Sequence, residues 1–161
     1  MEIIADTRER HPWDFIFFEN ISVTRACLDI GDYTTPKLKD KVVIERKASP
    51  SEIYLNLVDK KDSVRFKAEL EKMRGYKAAY IVCEFPESKI YQFPKGCGIP
   101  EKISSKMKLT GRALRKIIAD TEKKFEIPFV FFENKNEAED FVYSLFSLLE
   151  KKYERDLPER S

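Results

Sequence analysis

Short runs of apolar residues recur along the chain, and most of their members are β-branched or aromatic. Runs of this length, bounded by polar or turn-forming residues, are typical of β-strands. Five strands are predicted: Glu2 to Ala5, Ile21 to Leu28, Val42 to Ile44, Ala78 to Val82 and Pro128 to Phe132. The runs 42–44, 80–83 and 129–132 are continuous rather than alternating, which predicts central strands covered on both faces.

Segments whose apolar residues have helical spacing lie between several of these strands. Ser49-Pro50-Ser51-Glu52 has the form of a capping box with proline at the first helical position, so we expect a helix to begin there. Three more helices are predicted, starting near Asp62 or Ser63, after Thr110 as N-cap and near Asn136. Residues 85–109 lack a regular hydrophobic pattern, which predicts a long loop that is functional or mobile. The whole pattern indicates an α/β fold, a mixed central sheet flanked by helices, without setting the strand order.

The composition indicates one globular domain. Of the 161 residues, 42% are hydrophobic and 36% are charged, with 5 Gly and 8 Pro. These proportions exclude a disordered or a fibrous chain, and the length suits a single core. We expect one domain over residues 1–153, followed by a polar tail over 154–161.

The sequence favours a protein that stays inside the cell. No apolar run approaches the roughly 20 residues of a membrane span, and the N-terminus lacks the pattern of a signal peptide. We expect the cytoplasm, or the nucleus in a eukaryote, with no secretion and no membrane partner. The 3 widely spaced cysteines and the single histidine do not suggest a zinc site, and the thiols should be free.

Charge is nearly balanced overall but segregated locally. The formal net charge of +2 is too small to indicate a nucleic-acid ligand by itself. Residues 102–124, however, hold eight basic and two acidic side chains. Such a row of cations suits contact with phosphates, although an ordinary solvated helix face fits equally well. The candidate DNA-binding residues are Lys102, Lys106, Lys108, Arg112, Arg115 and Lys116.

Ionisable residues follow two apolar runs. Gly31-Asp32 comes after one of them, and Glu45-Arg46-Lys47 ends the predicted strand that begins at Val42. Because side chains i and i+2 of a strand share a face, Glu45 and Lys47 should be neighbours while Arg46 faces the other way. Buried charges without partners are costly, so these groups should meet an ion, a substrate or each other.

The two carboxylates Asp32 and Glu45 would repel each other unless a divalent cation lay between them. Hard cations such as Mg2+ bind carboxylate, water and phosphate oxygens. Beside them, Lys47 could hold a nucleophilic water and stabilise charge on a phosphate. The Glu-x-Lys pattern alone favours an exposed charged turn after a strand, and only the two motifs together favour the metal site.

Three motifs occur in a characteristic order: Asp6-Thr7-Arg8-Glu9 after an apolar strand, then Gly31-Asp32-Tyr33, then Glu45-Arg46-Lys47. In this order and spacing the sequence resembles the XPF-type nuclease domain, a branch of the restriction-endonuclease-like PD-(D/E)XK superfamily. The resemblance continues through Arg65 and Leu70 of the family's R-x4-L helix, the strand Tyr80 to Glu84, and the last strand and helix over 129–149. It therefore spans nearly the whole chain.

The resemblance implies a restriction-endonuclease-like core with a metal-dependent phosphodiesterase site. Asp32 and Glu45 would hold Mg2+ or Mn2+, and Lys47 would assist the attacking water. Asp6 would be a further acidic residue of the catalytic and metal site, with a turn or cap carboxylate as the alternative. The supporting residues would be Arg8, Glu9, Arg46 and Glu52.

The chain departs from the family's pattern at Ser51, where the motif has an aspartate. For the neighbouring Glu52 we favour the capping role over a metal role. This departure affects how a second metal ion or the Lys47 side chain would be supported, and not the assignment of Asp32, Glu45 and Lys47. No tandem helix-hairpin-helix module follows in this sequence, so DNA targeting is expected from the domain, from a partner chain or from both.

Together with these patterns, the resemblance implies a Mg2+-dependent DNA endonuclease that acts on branched or flapped DNA, as a homodimer or with a partner protein. One alternative is a nuclease-like module that has lost catalysis and holds DNA or dimerises. Another is a repair- or restriction-type nuclease with a different DNA specificity. Retention of Asp32, Glu45 and Lys47 argues against the first alternative, and Ser51 argues weakly for it. Because this fold occurs in nucleases of many DNA specificities, the sequence does not distinguish the second alternative from the main prediction.

Overall fold

The computed structural model describes residues 1–155. The strands are β1 Glu2–Asp6, β2 Ser22–Ala26, β3 Tyr33–Thr34, β4 Val42–Lys47, β5 Ala78–Cys83 and β6 Phe129–Phe131. The helices are α1 Pro50–Leu57, α2 Lys60–Met73, α3 Ser88–Gln92, α4 Glu101–Ser104, α5 Gly111–Phe125 and α6 Lys135–Arg155. The predicted α/β fold, a restriction-endonuclease-like core with a mixed sheet flanked by helices, is confirmed.

The strands form one mixed sheet in the order β2-β1-β3-β4-β5-β6. β3 runs antiparallel to both of its neighbours, β1 and β4, whereas the other adjacent strands pair in parallel. The start of β3 therefore lies at the same edge of the sheet as the carboxyl ends of β1 and β4. This edge gathers residues from three segments that are far apart in the sequence.

Helices cover both faces of the sheet. Strand β4 alternates between them: Val43 packs into one apolar core, and Val42 and Ile44 pack into the other. The first core is completed mainly by α1, α2 and α5, and includes Ile53, Phe66, Leu70, Leu114 and Ile118. The second is completed by α6 and the β1–β2 loop, and includes Trp13, Phe15, Val142 and Phe146. Strands β4 and β5 are central, as predicted.

The prediction that Phe129–Phe131 forms a central strand of the sheet was wrong. Strand β6 is the last strand of the sheet, and no residue within 1–155 pairs with its outer side. Its apolar run is nevertheless covered on both faces, since Phe131 packs against Phe85 at a centroid distance of 6.0 Å and the adjacent Phe132 against Phe141 at 5.0 Å. An edge strand that is covered in this way has the same hydrophobic pattern as a central strand.

Side-chain caps set the starts of α1, α2 and α5. Ser49 Oγ accepts from the Glu52 N–H at 3.4 Å, which confirms the predicted start of α1. Thr110 Oγ1 accepts from the Ala113 N–H at 3.1 Å and confirms the start of α5. Helix α2 begins at Lys60, earlier than predicted, because the Asp59 carboxylate provides its N-terminal cap.

Other differences are local. The two-residue strand β3 was not predicted, and residues 85–109 contain the short helices α3 and α4. Helix α6 extends to Arg155, beyond the expected domain end at 153. The remainder of the expected tail, 156–161, lies outside the described residues. The three cysteines are free thiols, as expected. Over residues 1–155, no helix has the length and apolar character that a membrane span requires.

Candidate active site

Asp32 and Glu45 reach one cleft from adjacent strands. Asp32 immediately precedes β3, and its N–H donates to the carbonyl of Ile44 at 2.8 Å, one residue before Glu45. Because β3 and β4 are antiparallel, the residue before β3 meets the last residues of β4. The resulting cleft has a volume of about 140 Å³ and is lined by Arg8, Ile30, Gly31, Asp32, Glu45, Arg65 and Glu69.

Gly31 allows Asp32 to approach β4 this closely. Its φ is +73°, in the left-handed region that favours glycine. A Cβ at this position would lie 2.2 Å from Val43 Cγ2 and 3.0 Å from the Ile44 carbonyl oxygen. Any side chain would therefore push the Asp32 segment away from β4.

The Asp32 carboxylate is held by the backbone of the neighbouring strand. Its Oδ2 accepts from the Arg46 N–H at 2.7 Å. Burial raises the pKa of Asp32 well above its ordinary value, the negative charge of Glu45 raises it further, and the Lys47 ammonium only partly opposes this. The cleft thus disfavours two bare carboxylates and favours a positive charge between them.

Glu45 and Lys47 share one face of β4, as predicted. Lys47 Nζ donates to Glu45 Oε1 at 2.7 Å and lies 4.7 Å from the centroid of the Phe66 ring. Only 7% of the Lys47 side chain is exposed. Burial by itself would lower the pKa of Lys47, but the charges of Glu45 and Asp32 outweigh it and hold that pKa above the ordinary value. Lys47 is therefore an ammonium group at neutral pH.

Helix α2 contributes two residues to the cleft that sequence reasoning did not assign to the site. Arg65 and Glu69 are one turn apart, and Arg65 Nη1 lies 3.3 Å from Glu69 Oε1. The R-x4-L pattern had marked Arg65 only as a feature of the helix. For Glu69, the available signal was its i+4 position, which places it on the same helix face as Arg65.

Asp6 lies at the same edge of the sheet, and both of its carboxylate oxygens accept hydrogen bonds from neighbouring residues of the chain. Oδ1 accepts from the Arg8 N–H at 2.9 Å and from Arg8 Nε at 2.6 Å, and Oδ2 accepts from the Leu28 N–H at 2.7 Å. Burial tends to raise the pKa of Asp6, but these hydrogen bonds outweigh it and keep the pKa below its ordinary value. Such contacts match the turn-carboxylate alternative. The metal role of Asp6 stays a prediction.

Arg46 points to the opposite face of β4, where it forms an ionic network. Its Nη1 donates to Glu9 Oε2 at 2.7 Å, and its Nε and Nη2 both donate to the Glu84 carboxylate at 2.9 Å. Burial opposes the charge, yet the carboxylates of Glu84 and Glu9 raise the pKa of Arg46. The sequence-predicted supporting residues Glu9 and Arg46 thus contact each other behind the cleft.

Trp13 and Glu84 complete this network, and the sequence analysis had not placed them in it. Trp13 Nε1 donates to Glu84 Oε2 at 2.6 Å, and the Trp13 ring stacks on Tyr33 at a centroid distance of 4.6 Å. The signal that could have identified Glu84 is its position directly after a buried strand, which is also how Asp32 and Glu45 were identified.

Ser51 and Glu52 have structural contacts at the start of α1. Glu52 Oε2 accepts from the Ala48 N–H at 3.1 Å, which is a capping contact of the kind we favoured. Ser51 Oγ donates to the carbonyl of Cys97 at 3.0 Å. The residue that replaces the family's aspartate therefore attaches α1 to the segment that follows α3.

The candidate DNA-binding residues fall into two groups. Lys102, Lys106, Lys108 and Arg112 are exposed and have no ion pair within residues 1–155. Arg115 Nε donates to Glu87 Oε1 at 2.5 Å, and Lys116 Nζ to Asp120 Oδ2 at 2.7 Å. The charges of Arg115 and Lys116 are thus engaged within the domain. Binding of DNA by any of these residues stays a prediction.

The donors in the cleft suit a magnesium ion that keeps part of its hydration shell. Within residues 1–155, no three His, Cys, Asp or Glu side chains form a group that could hold a metal ion. Asp32 and Glu45 each use one carboxylate oxygen in a hydrogen bond and leave the other without a protein donor in the described chain. Mg2+ is usually held by one or two carboxylates together with waters and phosphate oxygens, so this pair fits it.

Comparisons with known proteins agree with this fold. The XPF from Aeropyrum pernix has a TM-score of 0.65 and 18% identity, covering 92% of this chain and 64% of that chain. The same XPF in complex with DNA has a TM-score of 0.65 and 21% identity, and the match covers 94% of this chain and 66% of that chain. This chain thus spans about two thirds of the length of those chains. No curated protein matches it. The family model of the ERCC4 domain matches residues 5–145, so the chain belongs to the ERCC4 domain family and carries an XPF-type nuclease domain.

Proposed function

We propose that this protein is a metal-dependent DNA endonuclease that hydrolyses phosphodiester bonds. The observation that carries the proposal is the convergence of Asp32 and Glu45 in a single cleft, with the buried ammonium of Lys47 bonded to Glu45 Oε1 at 2.7 Å. Membership of the ERCC4 domain family supports nuclease activity. The structure of the Aeropyrum XPF in complex with DNA supports DNA as the substrate.

Asp32 and Glu45 would hold Mg2+ or Mn2+ at the edge of the sheet. When bound, such a cation polarises a phosphoryl oxygen and helps to generate a nucleophile from water. The raised pKa of Asp32 supports this assignment, because a cation between the two carboxylates would remove the repulsion that contributes to it. Asp6 would add negative charge nearby while its oxygens hold the Arg8 and Leu28 backbone in place.

Lys47 would orient the attacking water and stabilise charge on the phosphate. Its raised pKa keeps it protonated, so it acts as a hydrogen-bond donor and a positive charge rather than as a base. Its contact with Glu45 and its position over the Phe66 ring restrict where Nζ can lie. A fixed donor needs little reorganisation when negative charge develops on the phosphate.

Arginines at the mouth of the cleft are suited to phosphate contact. The Arg8 and Arg65 side chains both line the cleft and are each 63% exposed. Arg46 and Glu9 would act behind the cleft by holding the end of β4. Exposed basic residues, chiefly Lys102, Lys106, Lys108 and Arg112, would bind the backbone of DNA.

We further propose branched or flapped DNA as the substrate and a homodimer or a partner chain as the acting form. Proteins that act on DNA work where DNA is found, so the protein would operate inside the cell. A module without catalysis, or a nuclease with a different DNA specificity, would bind DNA through the same basic surface. The experiment below separates these possibilities.

The test is cleavage of end-labelled linear, nicked, flapped and four-way DNA with Mg2+. We expect the wild type to cut flapped or branched DNA, and we expect Asp32→Asn and Lys47→Ala to lower the rate at least about 100-fold. The matched controls are Asp29→Asn and Lys39→Ala, which change exposed residues of the same types nearby and should cut at the wild-type rate.

Undiminished cutting by both site variants would refute this assignment. A wild type that binds DNA but cuts none of the four forms would favour the module without catalysis. Equal cutting of linear and branched forms would favour another DNA specificity. Calorimetric titration with Mn2+ adds a readout that is independent of activity, since Asp32→Asn should abolish metal binding and Asp29→Asn should preserve it.

A further inference from the structure

A second cavity lies between the segment after α3 and helix α4, apart from the cleft that holds Asp32 and Glu45. Its volume is about 630 Å³, several times that of the cleft, and its walls include Pro94, Lys95, Ile99, Glu101, Ser104 and Met107. It is formed within residues 85–109, the stretch whose pattern predicted a functional or mobile loop. The proposed hydrolysis uses none of these wall residues.

The cavity is fixed to the element that follows the catalytic strand. Ser51 Oγ donates to the Cys97 carbonyl at 3.0 Å, and the Phe93 ring stacks on Tyr54 at a centroid distance of 5.2 Å. Phe93 itself is 3% exposed within the apolar core. Helix α1, which carries Ser51 and Tyr54, begins three residues after Lys47. A ligand in the cavity would therefore be held at a defined position relative to the cleft.

Unpaired positive charge lies on the cavity wall at Lys95 and directly beside wall residues in the chain at Lys102, Lys106 and Lys108. Lys95, Lys102, Lys106 and Lys108 are exposed, and none of them has an ion pair with any described residue. Several other exposed basic residues do have partners, such as Arg65 with Glu69 and Lys116 with Asp120. Four lysines against the single wall carboxylate of Glu101 make this region complementary to a polyanion.

The walls are not those of a simple phosphate site. Ile99, Met107 and Pro94 are half-buried and provide apolar surface, while Ser104 and Ser105 provide hydroxyl groups. Grooves that bind single-stranded nucleic acid combine cations that follow the backbone with side chains, usually aromatic, that contact the faces of the bases. In this cavity the apolar side chains of Ile99 and Met107 take that position. The bases of a duplex are stacked inside the helix, so an unpaired strand can place a base in such a cavity without the cost of breaking a base pair.

We propose that this cavity binds the unpaired strand of a branched DNA substrate, with its bases against Ile99 and Met107 and its phosphates near Lys95 and Lys106. The proposal rests on the proposed function only for the choice of DNA as ligand. It assigns substrate selection to residues 94–108, and it gives Ser51 a positioning role, as the anchor of the cavity to α1.

The test measures binding without cleavage. A labelled duplex with a single-stranded arm and a blunt duplex of the same sequence are titrated with the full chain in EDTA, and fluorescence anisotropy is recorded. We expect Lys95→Ala combined with Lys106→Ala to weaken binding of the armed DNA at least fivefold and binding of the blunt DNA by a smaller factor, because Lys95 lies outside the general DNA-binding set. The salt slope on armed DNA should fall by about 1.4, since each phosphate contact on a single strand contributes roughly 0.7.

Matched variants identify the cause of any loss. Lys60→Ala combined with Lys151→Ala removes two exposed lysines elsewhere and should leave both affinities within twofold of the wild type. Met107→Glu should weaken binding of the armed DNA, whereas the conservative variant Met107→Leu should bind it as the wild type does. Thermal melting confirms that each variant is folded. If Met107→Glu does not fold, the surface lysine pair decides the question.

Equal loss on both DNAs, or no loss on either, would overturn the proposal. Because EDTA prevents metal-dependent cutting, these outcomes do not depend on whether the protein is a nuclease. An arm preference that survives the lysine substitutions, together with cleavage that Asp32→Asn abolishes, would refute the cavity while leaving the nuclease assignment intact. Cleavage that survives Asp32→Asn would refute the nuclease assignment while leaving the arm preference to be judged from the binding data.

Discussion

Arg46 and Glu84 form a two-point ion pair across the ends of β4 and β5, with Nε–Oε2 and Nη2–Oε1 distances of 2.9 Å. Their side chains are 12% and 13% exposed. The pair lies on the face of β4 opposite to Glu45 and Lys47. The strand that carries the proposed catalytic residues is therefore joined to the end of β5 by an ion pair behind the cleft.

Removing the charge of Glu84 should destabilise the domain. We expect Glu84→Gln to lower the free energy of unfolding by about 2–4 kcal/mol, because a mostly buried arginine loses its two-point partner and Trp13 Nε1 then competes for the remaining acceptor. The measurement is urea denaturation followed by far-UV circular dichroism. Asp120→Asn, which breaks an exposed pair with Lys116, should cost less than about 0.5 kcal/mol. Equal losses in the two variants would contradict this expectation.

Gly31 should be intolerant of any side chain. We expect Gly31→Ala to cost about 3 kcal/mol or more, because the new Cβ would lie 2.2 Å from Val43 Cγ2 in addition to the cost of a positive φ. Gly98→Ala is the matched control: its φ is +75° but no atom lies within 4 Å of the added Cβ, so only the backbone cost of about 1 kcal/mol applies. Chemical denaturation of both variants gives the comparison, and losses of the same size would argue against a close approach at Gly31.

Glu139 of α6 should anchor the loop between β1 and β2. Its side chain is 1% exposed, and its Oε1 accepts from the N–H groups of Asp14 and Phe15 at 3.0 and 3.2 Å. We expect Glu139→Leu to cost about 2–3 kcal/mol, because two backbone donors lose their acceptor. Glu139→Gln keeps an acceptor of similar shape and should cost less. Thermal melts of the two variants test the ranking, and equal losses would contradict a contribution from the two backbone hydrogen bonds.

Acid stability should depend on Asp6. Because its pKa in the folded protein lies below the ordinary value of 3.8, the unfolded chain binds more protons in that range. The contribution of Asp6 is therefore complete above the unfolded pKa and is lost as the pH falls through the lower, folded pKa. We expect Asp6→Asn to flatten the fall of unfolding free energy below about pH 4. Asp29→Asn, at an exposed carboxylate, should retain the wild-type slope.

The sequence was sufficient for the local features. Apolar runs and capping residues were enough to locate five of the strands, α1 and α5, because strand length, proline and Ser or Thr caps act over a few residues. Alternation along β4 was enough to place Glu45 and Lys47 together and Arg46 apart, because the side-chain period of a strand is two. The ordered motifs were enough to indicate the family.

Only the tertiary structure decided which distant segments meet. The antiparallel insertion of β3 between β1 and β4 places Asp32 beside Glu45, and no local pattern encodes that strand order. The contacts of Glu84 with Arg46, of Arg65 and Glu69 with the cleft, and of Ser51 with Cys97 depend in the same way on packing between separate elements. Periodicity reports which face of an element is buried, whereas the partner that covers it is determined by the free energy of the whole fold.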